Sequence, residues 1–346
     1  MLKNYKQKEN HRKNIVPISP KEVNHIRRKE NIKTQIILNS GLSRDGYCIA
    51  CKEPKCVNYN ETELELSFIK IPYDNNNNVC PFSAISIDEN SGFPQVDSNQ
   101  CIGCGLCVNR CPFGALSIIE YKAFVNIDLS FENNTKERNN RFDQLVDDYQ
   151  KIDRNGYIRD ISNKNLQNVL SQLDIVSRDA QFPNHLSRNL LIENEFKTII
   201  RRKGDNIIRF DGISEANGSL YILEIEFSKD VLEAPRAILD DLSVVADKIA
   251  VNRSQFKPLI VLNELPNKRA EFWRVIEDIS NVLGVNIDTI TIGMLFLSLW
   301  GKLDITHIDQ FMDYKNQTLR NAILGLLIDG EFGIDEGFMS ILEPFK

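Results

Sequence analysis

Between Cys101 and Pro112 the chain reads CIGCGLCVNRCP, four cysteines separated by two, two and three residues and followed at once by proline. All eight cysteines of the 346-residue chain lie between positions 48 and 111, so whatever chemistry they serve is confined to one end. An even count could be a disulfide framework, but such frameworks belong to exported domains. The positively charged start, MLKNYKQKENHRKN, has no apolar segment behind it and does not read as a secretory signal. Zinc would call for two separated CxxC knuckles, whereas cysteines at i, i+3 and i+6 followed by Cys-Pro do not suit one tetrahedral ion.

A repeat accompanies the motif. VCPFSAISID (Val79–Asp88) and RCPFGALSII (Arg110–Ile119) are near copies, as a duplicated half-domain would give. With this repeat, the run Cys101, Cys104, Cys107, Cys111 and Pro112 closely resembles the bacterial two-cluster ferredoxins over about residues 41–125. In that family three clustered cysteines hold one [4Fe–4S] cubane and the Cys-Pro cysteine crosses to the other. The resemblance therefore implies two clusters, one held by Cys101, Cys104, Cys107 and Cys80, the other by Cys48, Cys51, Cys56 and Cys111. The first half departs from the pattern. Four residues separate Cys51 from Cys56, and 23 separate Cys56 from Cys80. The extra residues include ELELSFIKIPY, read as an added strand pair or loop, and DNNNN, read as a turn.

Beyond residue 125 the composition shifts. A polar, Asn-rich stretch over 126–159 reads as a linker that becomes helical, and globular patterning begins near 160. LSRNLLIENEFKTIIRRKG has helical periodicity ending at Gly204, with Leu186, Leu190, Phe196 and Ile200 on one arc and Glu193 in its middle. NIIRFDGIS and LYILEIEFS read as strands around a turn-like EANGS. In the second strand Glu224 and Glu226 share a face, and a hairpin would bring Asp211 beside them. A helix follows, with Ile238, Leu242, Val245 and Ile249 along a stripe. Then come a buried strand (PLIVLNE), a helix closed by Gly284, and DTITIGMLFLSLW, read as another buried strand. The alternation implies an α/β domain with a mixed sheet flanked by helices over 160–300. Residues 301–346 read as a helical cap.

The order of these elements resembles the PD-(D/E)xK core of restriction endonucleases. That likeness implies Asp211 and Glu224 as Mg²⁺ ligands, Glu226 where the family usually has Lys, and Glu193 as a helix acid. Hard oxygen ligands suit Mg²⁺, which would activate water and stabilise phosphate charge. The chain departs from the family in lacking Pro before Asp211 and Lys after Glu224, with Lys229 three residues past Glu226. No first core strand is evident before Asn206. The histidines, His11, His25, His185 and His307, are scattered without ligand spacing and read as structural or surface residues.

Residues 1–40 carry ten Lys and Arg against three Glu, a basic extension on a chain of net charge −6. It could bind nucleic acid or an acidic partner. No apolar run reaches the ~18 residues of a membrane span, and a cytoplasmic location is the expectation. Two functions stay open. One is a two-cluster module joined to a Mg²⁺-dependent nuclease. The other is an electron-transfer or redox-sensing protein whose α/β domain docks a partner, such as a redox protein.

Overall fold

The computed structural model describes residues 15–16, 48, 50–66, 71–111, 114–119, 122–126, 166–173, 181–205, 208–228, 230–248, 255–301, 303–306 and 340–344. The basic extension (apart from residues 15–16), residues 127–159 of the linker, Lys229, Ile249 and most of the 301–346 cap lie outside them. The chain divides into two compact units. One comprises Met1–Tyr59 and Asn78–Gln172, the other Asn60–Asn77 and Leu173–Lys346. The module read over 41–125 is thus divided: the chain leaves the first unit after Tyr59 and rejoins it at Asn78.

The first unit holds two small antiparallel sheets. β1 (Ile15–Val16) pairs with β5 (Lys122–Asn126), which pairs with β4 (Leu116–Ile119); β2 (Ile85–Ile87) pairs with β3 (Pro94–Val96). The sequence repeat is a structural repeat, because each Cys-Pro leads within five residues into a strand. In both copies the amide four residues on returns to the cysteine. Ala84 donates to the Cys80 sulfur and Ala115 to the Cys111 sulfur, each at 3.3 Å. Between the copies lies a single short helix, α1 (Leu106–Arg110). The core is built from Ala84, Ile85, Val96, Ile102, Leu106, Leu116, Ile118 and Val125, all buried.

The second unit is a five-stranded mixed sheet. α2 (Phe182–Glu193) precedes β6 (Lys197–Ile200), β7 (Gly212–Ala216) and β8 (Ser219–Glu226), which form an antiparallel meander. Asn217 and Gly218, both at positive φ (48° and 75°), make the two-residue turn between β7 and β8. That geometry matches the right-handed twist of the flanking strands, and it is the turn that Asn-Gly favours. α3 (Ala234–Lys248) crosses over to β9 (Phe256–Leu262), parallel to β8. α4 (Glu271–Leu283) then leads to β10 (Asp288–Thr291), parallel to β9, giving the order β10-β9-β8-β7-β6. Parallel neighbours need such helical crossovers. As expected, Ile238, Leu242 and Val245 are buried along α3 and Gly284 ends α4 in a left-handed conformation (φ 65°).

Two elements differ from the sequence reading. The helix expected to reach Gly204 ends at Glu193. Asn194 bonds back to Leu190 O (2.8 Å), Glu195 takes φ 69°, and the chain reverses into β6. A strand, β6, therefore precedes Asn206, inside the stretch read as helix. Likewise only Asp288–Thr291 of DTITIGMLFLSLW is strand, and Ile292–Gly301 is helix α5. That helix is apolar all round and carries no periodic stripe to betray it. Its start is marked by Thr291, whose hydroxyl oxygen accepts from Met294 N (3.1 Å), as an N-cap does, while its O–H donates to Ile341 O (2.6 Å).

Candidate metal centres

The eight cysteines line two cavities in the first unit. Cys48, Cys51, Cys56 and Cys111 wall one, closed by Ile87, Leu116 and Val125. Cys80, Cys101, Cys104 and Cys107 wall the other, closed by Ile85, Ile102 and Ile118. Each cavity thus takes three cysteines from one half of the repeat and one Cys-Pro cysteine from the other. None of the eight forms a disulfide. Gly103 and Gly105, at φ 74° and 82°, let the CIGCGLC loop turn tightly through three cysteine positions. On the first half, Arg110 clamps the longer Cys51–Cys56 loop. Its Nε donates to Lys55 O (2.7 Å) while its guanidinium lies 4.2 Å from the centre of the Tyr59 ring.

The thiols are difficult to ionise as they stand. Burial pushes Cys80 up to about 11, although the Ala84 amide favours its thiolate. Burial raises Cys56, Cys104 and Cys107 well above the ordinary thiol range, and neighbouring cysteines add to it: Cys111, Cys48 and Cys51 around Cys56, and Cys80 and Cys101 around Cys104. Four thiolates in one apolar cavity require cations among them. Among the described residues no three His, Cys, Asp or Glu side chains converge on a single ion. A mononuclear zinc site would hold its sulfurs about 2.3 Å from one centre. Four thiols spread around an apolar cavity suit a cubane, which offers four separate irons.

In the second unit the hairpin does bring Asp211 to Glu224. Asp211 sits at the mouth of β7, where Oδ2 accepts from Ile225 N (2.9 Å) and Oδ1 from Asn184 Nδ2 (3.3 Å). The Arg201 guanidinium stands 3.6 Å from Oδ1. Glu224 shares a hydrogen bond with Asp241 of α3. Burial first, then the charges of Asp211 and Asp241, push Glu224 up to about 8; burial likewise raises Asp241 and Asp211. Asp241 is buried and Asp211 and Glu224 are half-buried, so the three carboxyls lie close together where each is harder to ionise than in water.

Glu226 lies on the same strand face, but its Oε1 accepts from Ser228 N (2.7 Å). Glu193 is the last residue of α2. The α2 residue that reaches Asp211 is Asn184, nine residues earlier, or about 13 Å along the helix axis. Sequence reasoning missed Asn184 and Asp241. A signal for Asp241 was present, since it falls three residues after Ile238 and four before Val245, on the buried stripe. His185 faces Asp74 (3.4 Å).

Residues 94–117 match the 4Fe-4S binding domain family. No curated protein and no solved structure matches the chain. The matched segment carries Cys101, Cys104, Cys107 and Cys111, so this is an iron–sulfur protein with a [4Fe–4S] cluster bound through that segment. No helix among the described residues is long and apolar enough to cross a membrane.

Proposed function

We propose that the chain carries two [4Fe–4S] clusters that transfer electrons, and that its α/β unit is a divalent-metal-dependent nuclease. The carrying observation is the pair of cavities, each walled by four cysteines drawn three and one from the two halves of the repeat. Cys48, Cys51, Cys56 and Cys111 would hold one cluster, and Cys80, Cys101, Cys104 and Cys107 the other. When bound, each cluster supplies a one-electron couple. The chain shields it behind Ile, Leu and Val side chains and donates the Ala84 and Ala115 amides to ligand sulfurs, which stabilises negative charge.

Support for the nuclease reading comes from the order helix, three antiparallel strands, helix, parallel strand, with Asp211 just before β7 and Glu224 on the adjacent β8. Mg²⁺ is commonly held by one or two carboxylates and otherwise keeps its waters. When bound at Asp211 and Glu224, the ion would supply activation of water and charge stabilisation. Asp241 holds the Glu224 carboxyl in place through their shared hydrogen bond, the Glu224 proton would leave to solvent as an ion binds, and Arg201 adds positive charge beside Asp211. The basic segment 1–40 would add contacts to a nucleic-acid backbone. The test is cleavage of single- and double-stranded DNA and RNA by anaerobically purified protein, with and without Mg²⁺ or Mn²⁺. Glu224→Gln should lower metal-dependent cleavage at least about 100-fold, the upper cost of losing even an outer-shell partner of a metal site, with cluster absorbance unchanged. Equal cleavage by the variant, or none by either protein, contradicts the nuclease reading.

A further inference from the structure

The 23 residues between Cys56 and Cys80 are an excursion with a defined neck. Val79 N donates to Val57 O (2.8 Å) and Asn58 bridges Asn78 in antiparallel fashion, so the pairing abuts both cysteines. Beyond it, Asn60–Asn77 belongs to the second unit. It begins with a helical turn, Glu61–Leu64, in which Asn60 N donates to Glu63 Oε2 (2.7 Å). Leu64 and Leu66 are buried. The segment then reaches β6, the edge strand of the sheet, whose outer backbone groups would otherwise lack ladder partners. Asp74 N donates to Ile200 O (2.8 Å) and Tyr73 bridges Arg201. The Asp74 carboxylate is fixed by His185 and by Asn76 N (2.8 Å). The facing His185 imidazole holds it below the usual carboxylate range, and the Asn76 amide and the charge of Arg188 act in the same direction.

The residue this segment seats is Arg201. Its amide donates to Asp211 O (2.8 Å), and its guanidinium spans Arg209 O (3.0 Å) and the Asp211 carboxylate (3.6 Å). One run of backbone therefore leads from two cluster-cavity cysteines, one in each cavity, to the neighbour of Asp211. We infer that Asn60–Asn77 makes the order of β6 and the geometry at Asp211 depend on whether the clusters are in place at Cys56 and Cys80. With both cysteines ligated, the neck is pinned and the excursion is a closed loop with little freedom to lose on docking. With either released, the loop opens at that end, and ordering Tyr73 and Asp74 on the β6 edge carries the entropic cost of a free chain. The consequence for Asp211 as a metal site rests on the nuclease reading; the ordering of β6 does not.

The test compares full-length protein with clusters intact, the same protein stripped anaerobically with ferricyanide and EDTA, and Asp74→Ala with clusters intact. Hydrogen exchange is read by mass spectrometry over 71–76, 197–201, 219–226 and 256–262. Stripping should raise exchange about tenfold or more in 71–76 and 197–201 while leaving 219–226 and 256–262 unchanged, as expected of one local opening unit. Asp74→Ala should reproduce that pattern with its cluster absorbance retained. Exchange in 71–76 and 197–201 that does not respond to stripping, or a rise spread evenly over all four segments, overturns the inference. Mn²⁺ binding by the same samples separates the two claims. Binding that weakens on stripping and in Asp74→Ala supports the link to Asp211, and binding equal in all three overturns it. No Mn²⁺ binding in any sample removes the nuclease reading alone, and the exchange result still decides the coupling.

Discussion

Glu224 and Asp241 share a hydrogen bond beside Asp211, and burial raises all three carboxyls. A carboxyl whose folded value lies above its unfolded one binds more protons folded than unfolded. Its contribution is most favourable at low pH and is lost as pH rises through the shifted range. Without divalent metal, the second unit should therefore lose stability between the ordinary carboxylate range and about pH 8, the value reached by Glu224. Glu224→Gln removes one ionisation and should flatten that slope. Both tryptophans, Trp273 and Trp300, lie in this unit, so urea midpoints by fluorescence at pH 5 and pH 8 measure it. Equal slopes in the two proteins would show that Glu224 titrates normally. The nearness of Asp211 to Glu224 was legible in the sequence because strand period and an Asn-Gly turn set the mouth of β7 beside β8. Glu193 was read correctly as helical, at the end of α2, but the helix was drawn on through Asn194, where the chain turns back.

At the scale of elements, the misread pieces share a cause. Apolar runs such as FKTII and TITIGMLFL are buried on more than one side, and period alone does not separate strand from helix there. The deciding residues are polar and local: Asn194, which bonds back to Leu190 O, and Thr291, which opens α5. Thr291→Val keeps the branched shape but removes both hydroxyl bonds, the cap to Met294 N and the donation to Ile341 O. It should cost about 1–3 kcal/mol, the range for a lost helix cap and a buried acceptor left unmatched. A lowered urea midpoint of the tryptophan signal would show this, and an unchanged midpoint would mean the hydroxyl contributes nothing. The turn between β7 and β8, by contrast, was visible as Asn217-Gly218, because few other pairs accept two positive φ angles.

For the molecule as a whole, the cysteine end was the most legible part of the sequence. Thiol spacing and the Cys-Pro repeat are local features tied to one chemistry, and the cavities group the eight cysteines as the resemblance to two-cluster ferredoxins implies. The α/β unit was legible as a class but less so in detail, since its site rests on carboxylates that many solvated strands also carry. What no local pattern could reveal is the path of the chain, in which residues between two cavity-lining cysteines belong to the other unit. The two-cluster account is tested most directly by assaying iron and acid-labile sulfide in anaerobically purified protein, with spectra recorded on dithionite reduction. The account predicts about eight iron and eight sulfide per chain, two reducible centres, and about half of that content lost in Cys104→Ser. About four of each in the intact chain, with a single reducible centre, would contradict it.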